Sequence, residues 1–167
     1  MDKDQRGFTL IELMIAIVIA AIITGGITAA VMQVLTINSR ASNHMVAVRQ
    51  VQQAGKEVSK DTLQAQAVNA TPSEGFLALT WEEWGTNQTN AVNYTLVDMP
   101  GGLKQLQRIH TINEVEQTTA PSVVAEYIDP DQTSCVWADG VLTFTVTATL
   151  GTESETRIYE IESRPGS

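Results

Sequence analysis

Cysteine and histidine are scarce in this 167-residue chain. Cys135 is the single cysteine, so no disulfide can form within the chain, and the residues beside it offer no base to activate its thiol. We therefore expect Cys135 to be a small buried hydrophobic residue. The two histidines, His44 and His110, have no further histidine or cysteine at metal-ligand spacing. Since phosphate-binding and nucleophile motifs are missing too, the sequence predicts no enzyme activity and no cofactor.

Positive charge is also scarce. The chain has 10 Lys+Arg against 19 Asp+Glu, a net charge of −9, and it has no basic run. This balance disfavours nucleic acids and anionic lipid surfaces as partners, because both are held mainly by positive charge. After subtraction of a membrane segment, roughly 130 residues remain, which is enough for one domain with a single core.

Proline is missing from residues 1–71, and the first proline of the chain is Pro72. Because proline and the residue before it disfavour helix, its absence allows one long helix, predicted from about Phe8 to about Val68. Residues 8–32 of this helix are almost wholly apolar. At about 1.5 Å per residue they extend for roughly 37 Å, enough to cross a bilayer core of about 30 Å.

Charge around the apolar segment predicts its orientation. Lys3 and Arg6 precede it, and the next cation is Arg40. The positive-inside tendency then keeps the N-terminus in the cytoplasm and sends the C-terminus outward. A secretory signal peptide cut near residues 28–30 is an alternative, but the apolar run is longer than usual for one and contains Glu12. A plain signal anchor gives no reason for Glu12.

The run R-G-F-T-L-I-E-L at residues 6–13 resembles the prepilin cleavage motif of the type IV pilin family. The resemblance implies a membrane peptidase that cuts after Gly7 and methylates the new N-terminal residue, Phe8. It also implies other pilin or pseudopilin subunits as partners, together with an inner-membrane assembly platform and, indirectly, its ATPase. Gly7 suits a cleavage site because a residue without a side chain lets a protease approach the backbone closely.

Glu12 has a physical role in this interpretation. A carboxylate in apolar surroundings is costly unless it is paired or neutralised. Cleavage after Gly7 creates an α-amine at Phe8, and the amine of an axially offset neighbour could pair with Glu12 and set the register between subunits. The alternative is an isolated glutamate at the membrane surface.

Gly25 and Gly26 interrupt the apolar helix. Many filament-forming pilins have a proline deep in this helix, and this chain has none. Because glycine costs about 1 kcal/mol relative to alanine inside a helix, this pair is the predicted point of local melting during assembly. The alternative is that the glycines let neighbouring helices approach closely.

Beyond residue 32 the helix becomes amphipathic, and its apolar stripe is expected to cover a sheet. The predicted stripe consists of Val34, Asn38, Ala41, Met45, Val48, Gly55, Val58 and Leu63.

After Pro72, short runs rich in Thr, Val and Tyr alternate with turn residues. In residues 141–150 the alternation places Leu142, Phe144, Val146 and Ala148 on one face. The predicted strands, four to six in one antiparallel sheet, are Phe76–Thr80, Ala91–Val97, Leu103–Thr111, Ser122–Ile128, Val141–Leu150 and Thr156–Ser163.

The predicted fold class is α+β: a long N-terminal helical spine, transmembrane and then amphipathic, packed against an antiparallel β-sheet head, as in pilins. The predicted organisation is a leader at 1–7, a transmembrane and assembly helix at 8–35, an amphipathic half of the same helix at 36–70 and a head domain at 71–167.

The head contains a second resemblance. Y-T-L at residues 94–96, G-L-K-Q-L-Q-R at 102–108 and the strands that follow are similar to J-type minor pseudopilins and minor pilins. This resemblance, and the missing cysteine pair that closes a loop in many major pilins, favour a minor subunit over a major pilin.

The sequence offers two weaker candidates for ligand-binding sites, each with an alternative interpretation. Asp129 and Asp131 could supply oxygens to calcium, although two carboxylates across a proline are usually a solvated turn. The segment from Trp81 to Trp84, which encloses Glu82 and Glu83, could be a carbohydrate or adhesin patch or simply a surface with one or both indoles tucked in.

The sequence favours a structural filament subunit, first in the inner membrane with its head outside and then in a surface or periplasmic filament. The alternative is a membrane-anchored binding module, in which the head captures a ligand and the helix only tethers it. A surface pilus, a secretion pseudopilus and a DNA-uptake filament all remain open.

Overall fold

The computed structural model describes residues 9–71, 73, 75–117 and 120–163. The α-helix α1 spans Leu10–Thr62. The predicted long helix is confirmed, but it ends before the predicted Val68. The cause is tertiary: residues 67–69 form a short strand that pairs with the next strand, with Ala67 opposite Thr80. Sheet pairing therefore overrides the helical pattern at this end.

Within the described residues, nine strands follow the helix in one antiparallel sheet. Their bounds are β1 Ala67–Asn69, β2 Leu77–Glu83, β3 Gln88–Asp98, β4 Lys104–Ile112, β5 Val115–Glu116, β6 Ser122–Ile128, β7 Ser134–Ala138, β8 Val141–Leu150 and β9 Glu153–Glu162. The predicted four to six strands were too few, because β1, β5 and β7 are short and lack a clear alternation. The predicted bounds of β6 and β8 are confirmed.

The strands are ordered β1-β2-β3-β4-β6-β8-β7, with β5 paired to β4 and β9 paired to β8. The turn-forming residues at 99–102 and 151–152 predict two hairpins, and tight turns do join β3 to β4 and β8 to β9 there. Gly101 and Gly102 have φ of 88° and 80° in the first turn, and Gly151 has φ of 63° in the second. Glycine is suited to these positions because side chains disfavour the left-handed region.

The chain divides into two compact units, residues 1–41 and 42–167. In the second, here called the sheet unit, the helical residues from 42 onward pack on the sheet. Ala47, Val51, Ala54 and Val58 are fully buried there. The predicted stripe was right for Gly55 and Val58, which are buried, and for Val48, which is half-buried, and it was wrong at Met45 and Leu63. Met45 and Leu63 are 57% and 59% exposed, because small alanines rather than large side chains line the close helix–sheet contact.

The predicted buried face of β8 is confirmed, since Leu142, Phe144, Val146 and Ala148 are all fully buried. Phe144 lies at the centre of an aromatic group, with its ring 6.2 Å from Phe76 and 6.3 Å from Tyr159 between centroids. One face of the sheet is therefore the core of the unit.

Candidate functional site

The first turn of α1 is closed by Thr9 and Glu12. The Thr9 N–H donates to Glu12 Oε2 at 2.9 Å, and the Thr9 hydroxyl donates to the same oxygen at 2.8 Å. In return, the Glu12 N–H donates to Thr9 Oγ1 at 3.3 Å. This reciprocal arrangement is a capping box, which satisfies backbone donors that the helix leaves free. Glu12 therefore also has a local role that the sequence interpretation missed, although T-x-x-E is its signature. Gly7 and Phe8 lie outside the described residues.

Apolar side chains surround Glu12 and stay exposed along the following turns. Leu10, Ile11 and Leu13 are 77%, 66% and 57% exposed, and the same holds for most large side chains to Ile37. Soluble monomers rarely expose a continuous apolar surface of this size. The helix is long and apolar enough to cross a membrane. The exposed apolar surface is consistent with surroundings of lipid or of other helices.

Gly25 and Gly26 lie within the helix, and a Cβ at either position would meet no atom within 4 Å. On either side of them, Thr24 and Thr28 donate their hydroxyls to the carbonyls of Ala20 and Thr24 at 2.8 and 2.9 Å. Such bonds satisfy a hydroxyl in apolar surroundings. Local melting and close helix approach at the glycines both stay predictions.

Comparison with known proteins bears on this segment. Residues 2–28 match the family described as the prokaryotic N-terminal methylation motif. The match includes the predicted cleavage position and Glu12. The N-terminus is that of a type IV pilin-like prepilin. No curated protein and no solved structure matches the chain.

The prepilin motif carries general consequences. It implies processing by a prepilin peptidase and assembly with pilin subunits. The apolar helix is consistent with a membrane anchor. The α+β layout, one long helix followed by an antiparallel sheet, is that of a pilin-like fold.

In the sheet unit, a buried ionic network joins the end of α1 to the sheet. Asp61 is 2% exposed. It accepts a hydrogen bond from the Tyr94 hydroxyl at 2.6 Å, and Arg108 donates to both of its oxygens at 2.7 and 3.1 Å. The hydrogen bond that Arg108 donates to Asp61 raises the pKa of Arg108, and burial raises the pKa of Tyr94. Both donors therefore stay protonated at ordinary pH.

The sequence interpretation missed this network, although its signal was present. Asp61 lies three residues after Val58 and seven after Ala54, so helical spacing places its side chain on the buried face. A charged residue on a buried face needs partners. Tyr94 and Arg108 lie directly opposite each other in β3 and β4.

Both carboxylate oxygens of Asp129, one of the two calcium candidates, accept hydrogen bonds. Asp129 Oδ1 accepts from the N–H of Asp131 at 3.0 Å, and Oδ2 accepts from the Gln132 side chain at 3.0 Å. The Asp129 carboxylate thus caps the short 3₁₀ turn Pro130–Gln132. Across the described ranges, no group of three carboxylate, histidine or cysteine side chains is placed to hold a metal.

Cys135 is half-buried in β7 and packs against the core. Burial raises its pKa to about 12, so the thiol is protonated and unreactive at ordinary pH. The two tryptophans of the 81–84 segment differ in environment. Trp81 is partly buried and stacks on His110, whereas Trp84 is 91% exposed. The expectation that one indole is tucked in is confirmed.

Proposed function

We propose that this prepilin is a structural subunit of a type IV pilus or pseudopilus-type filament, cut after Gly7 and N-methylated at Phe8. The observation that carries the proposal is the methylation motif running directly into an exposed apolar helix. Type IV pilin-like subunits are structural proteins, and the work of assembly is assigned to an inner-membrane platform and its ATPase. The proposed path of the subunit is a single-pass inner-membrane stage with the head outside, followed by a surface or periplasmic filament.

The exposure of the helix supports this path. Its first half is apolar on all sides, so it cannot bury its surface on a single domain face. Lipid can cover that surface before assembly, and the helices of other subunits can cover it afterwards. The change of surroundings needs no change in the sheet unit, which has its own core.

The capping box supports the pairing proposed for Glu12. The two bonds from Thr9 end on Oε2, and no donor among the described residues bonds Oε1. Hydrogen bonds from Thr9 do not cancel the carboxylate charge, which stays costly in an apolar filament core. The methylated amine of a neighbouring subunit would supply the missing cation and could approach Oε1 without breaking the helix cap.

We further propose a minor rather than a major subunit. Support comes from the resemblance of residues 94–96 and 102–108 to minor pseudopilins and from the single cysteine. The proportion of this protein among the subunits of sheared filaments tests this assignment. A minor subunit is a trace component, and a predominant band would contradict the assignment.

Intact-mass measurement of the native protein tests the main proposal. The expected mass lacks residues 1–7 and carries one additional methyl group, and the protein is recovered from sheared filaments. A chain that starts at Met1 and stays entirely in the membrane fraction contradicts the proposal. That result would favour the alternative, a tethered binding module, for which the exposed Trp84 is the supporting observation.

A further inference from the structure

Two adjoining cavities lie at the end of the β2–β3 hairpin. The larger has a volume of about 460 Å³ and the smaller about 340 Å³. They share three lining residues, Glu82, Glu83 and Trp84. The larger is completed by Gln64, Trp81, Asn90 and His110, and the smaller by Gln66, Gly85 and Asn87. Both volumes fall in the lower part of the range of small-molecule sites.

The larger cavity contains an ordered aromatic pair. The Trp81 and His110 rings stack with centroids 5.9 Å apart and an angle of 15° between their planes. His110 Nε2 lies 3.0 Å from Asn90 Oδ1, and Asn90 is only 5% exposed. Burial lowers the pKa of His110, so the imidazole is neutral near pH 7. The cavity therefore has a flat, uncharged aromatic element whose position is fixed by a buried amide.

Trp84 lies in the turn after β2 and lines both cavities. Its side chain is 91% exposed, although burying an aromatic side chain is worth about 1.5–3 kcal/mol. The turn itself is defined, with φ of 95° at Gly85 and 55° at Asn87. Folding of the sheet unit does not account for an indole held in water at this place. An aromatic surface of this kind is available to a ligand.

The chemistry of the lining residues limits the ligand. They are aromatic rings, two carboxylates and side-chain amides, and the described lining residues include no lysine or arginine. An anionic ligand would meet Glu82 and Glu83 without a counter-charge. A simple cation would find the carboxylates but would leave the stacked pair and the amides unused.

A sugar ring has both features that this surface matches. Its C–H faces pack on aromatic rings, and the hydroxyls around its edge need planar acceptors and donors such as carboxylates and amides. We infer that the paired cavities around Trp84 bind a neutral or N-acetylated oligosaccharide, with Trp84 between two successive sugar rings. This inference does not depend on filament assembly, because every residue involved lies in the sheet unit.

The test uses the full-length protein in a detergent without a sugar headgroup. An array of neutral, N-acetylated and acidic oligosaccharides is the first probe, followed by titration calorimetry with maltotriose, lactose and the trimer of N-acetylglucosamine. A trilysine peptide serves as the cationic competitor. We expect saturable binding of at least one neutral or N-acetylated glycan and no binding of the acidic glycans.

Variants separate the site from general adhesion. Trp84→Ala should weaken glycan binding at least about tenfold, and Glu83→Gln should weaken it by a smaller factor. Both side chains are exposed, so the variants should keep the circular dichroism of the parent. Trp137→Phe, in β7 and outside both cavities, is the matched control and should bind as the parent does. The inference is overturned if no glycan binds, if only trilysine or acidic glycans bind, or if Trp84→Ala binds unchanged.

Discussion

The ring of Tyr159 occupies the space that the missing side chain of Gly55 leaves on α1. A Cβ at Gly55 would overlap the ring, and the Tyr159 hydroxyl donates to the Val51 carbonyl at 3.2 Å. The glycine therefore lets the edge strand β9 place an aromatic ring directly on the helix backbone. The contact ties the first and last elements of the sheet unit together.

Gly55→Ala should destabilise the sheet unit. The added methyl group would force Tyr159 out of its position, and overpacking of this kind costs about 1–3 kcal/mol. The better helix propensity of alanine, worth about 1 kcal/mol, offsets part of this loss. Chemical denaturation followed by tyrosine and tryptophan fluorescence measures the difference.

The matched control is Gly25→Ala, which makes the same change in the same helix where no atom lies within 4 Å. It should leave the unfolding of the sheet unit unchanged. Equal stability of Gly55→Ala and the parent would show that the ring moves aside at no cost.

Within the network of Asp61, Tyr94 and Arg108, we expect the loss of Asp61 to destabilise the sheet unit more than the loss of the Tyr94 hydroxyl. Asp61→Ala leaves the partly buried Arg108 without its partner, and breaking a buried pair in this way costs about 3 kcal/mol or more. Tyr94→Phe removes one bond to a charged acceptor and should cost about 1.5–3 kcal/mol. Urea denaturation of the single and double variants gives the coupling.

The two losses should not add, because both variants act on the same carboxylate. Asp131→Ala, at an exposed position of the short 3₁₀ turn, is the control for removal of an aspartate from the sheet unit. Strict additivity of Asp61→Ala and Tyr94→Phe would contradict the shared network.

The parts of the fold that followed from the sequence are those where a repeated pattern determines the structure. The alternation of apolar and polar residues in β8 predicted both its bounds and its buried face, because every second side chain of a half-buried strand points to the core. The turn at Gly101 and Gly102 followed from the conformational freedom of glycine. The methylation motif is contiguous, so the N-terminal segment could be assigned without any knowledge of the fold.

What could not be predicted depends on contacts between distant residues. The end of α1 is set by pairing of β1 with β2, and three residues of strand carry too little pattern to detect. The buried stripe was misplaced because Ala47 and Ala54 do not stand out as core residues by size. The Trp81–His110 pair and the cavity beside it arise from residues 29 positions apart on β2 and β4, two strands that flank β3.

His110 should make the stability of the sheet unit depend on pH. Burial, with a contribution from Arg108, lowers the pKa of His110 below its ordinary value. The unfolded chain then binds the proton more readily than the folded chain, so stability rises with pH and is lost as pH falls from about 7 through the unfolded value of about 6.5. One proton changes the unfolding free energy by at most about 1.4 kcal/mol per pH unit.

Denaturation midpoints between pH 5 and 8 test this sign, in steps fine enough to define a slope. His110→Gln removes the titrating group and should flatten the profile relative to the parent, leaving the slope that other groups cause. His44→Gln, at an exposed helix position, is the matched control and should reproduce the parent profile. If the stability of His110→Gln depended more steeply on pH than that of the parent, the proposed contribution of His110 would have the wrong sign.

Glu12 should be needed for assembly and not for membrane residence. Glu12→Ala removes the proposed partner of the neighbouring amine, but the apolar side chains that hold the helix in lipid are untouched. We expect the variant in the membrane fraction at the parent level and missing from sheared filaments. Immunoblotting of the two fractions measures both quantities.

The capping box provides the discriminating comparison. Thr9→Val removes both bonds that the Thr9 hydroxyl makes and keeps the Glu12 carboxylate, so it should weaken the helix cap by about 1 kcal/mol. If Glu12 acts through a neighbour's amine, Thr9→Val should still assemble, and Glu12→Gln, which lacks the charge but can still accept the bond from the Thr9 N–H, should fail. If Glu12 acts only as a cap, the order reverses: Glu12→Gln assembles and Thr9→Val is impaired. These two substitutions separate the two roles of this turn, because Glu12→Gln removes the carboxylate charge and Thr9→Val removes the hydroxyl bonds of the helix cap.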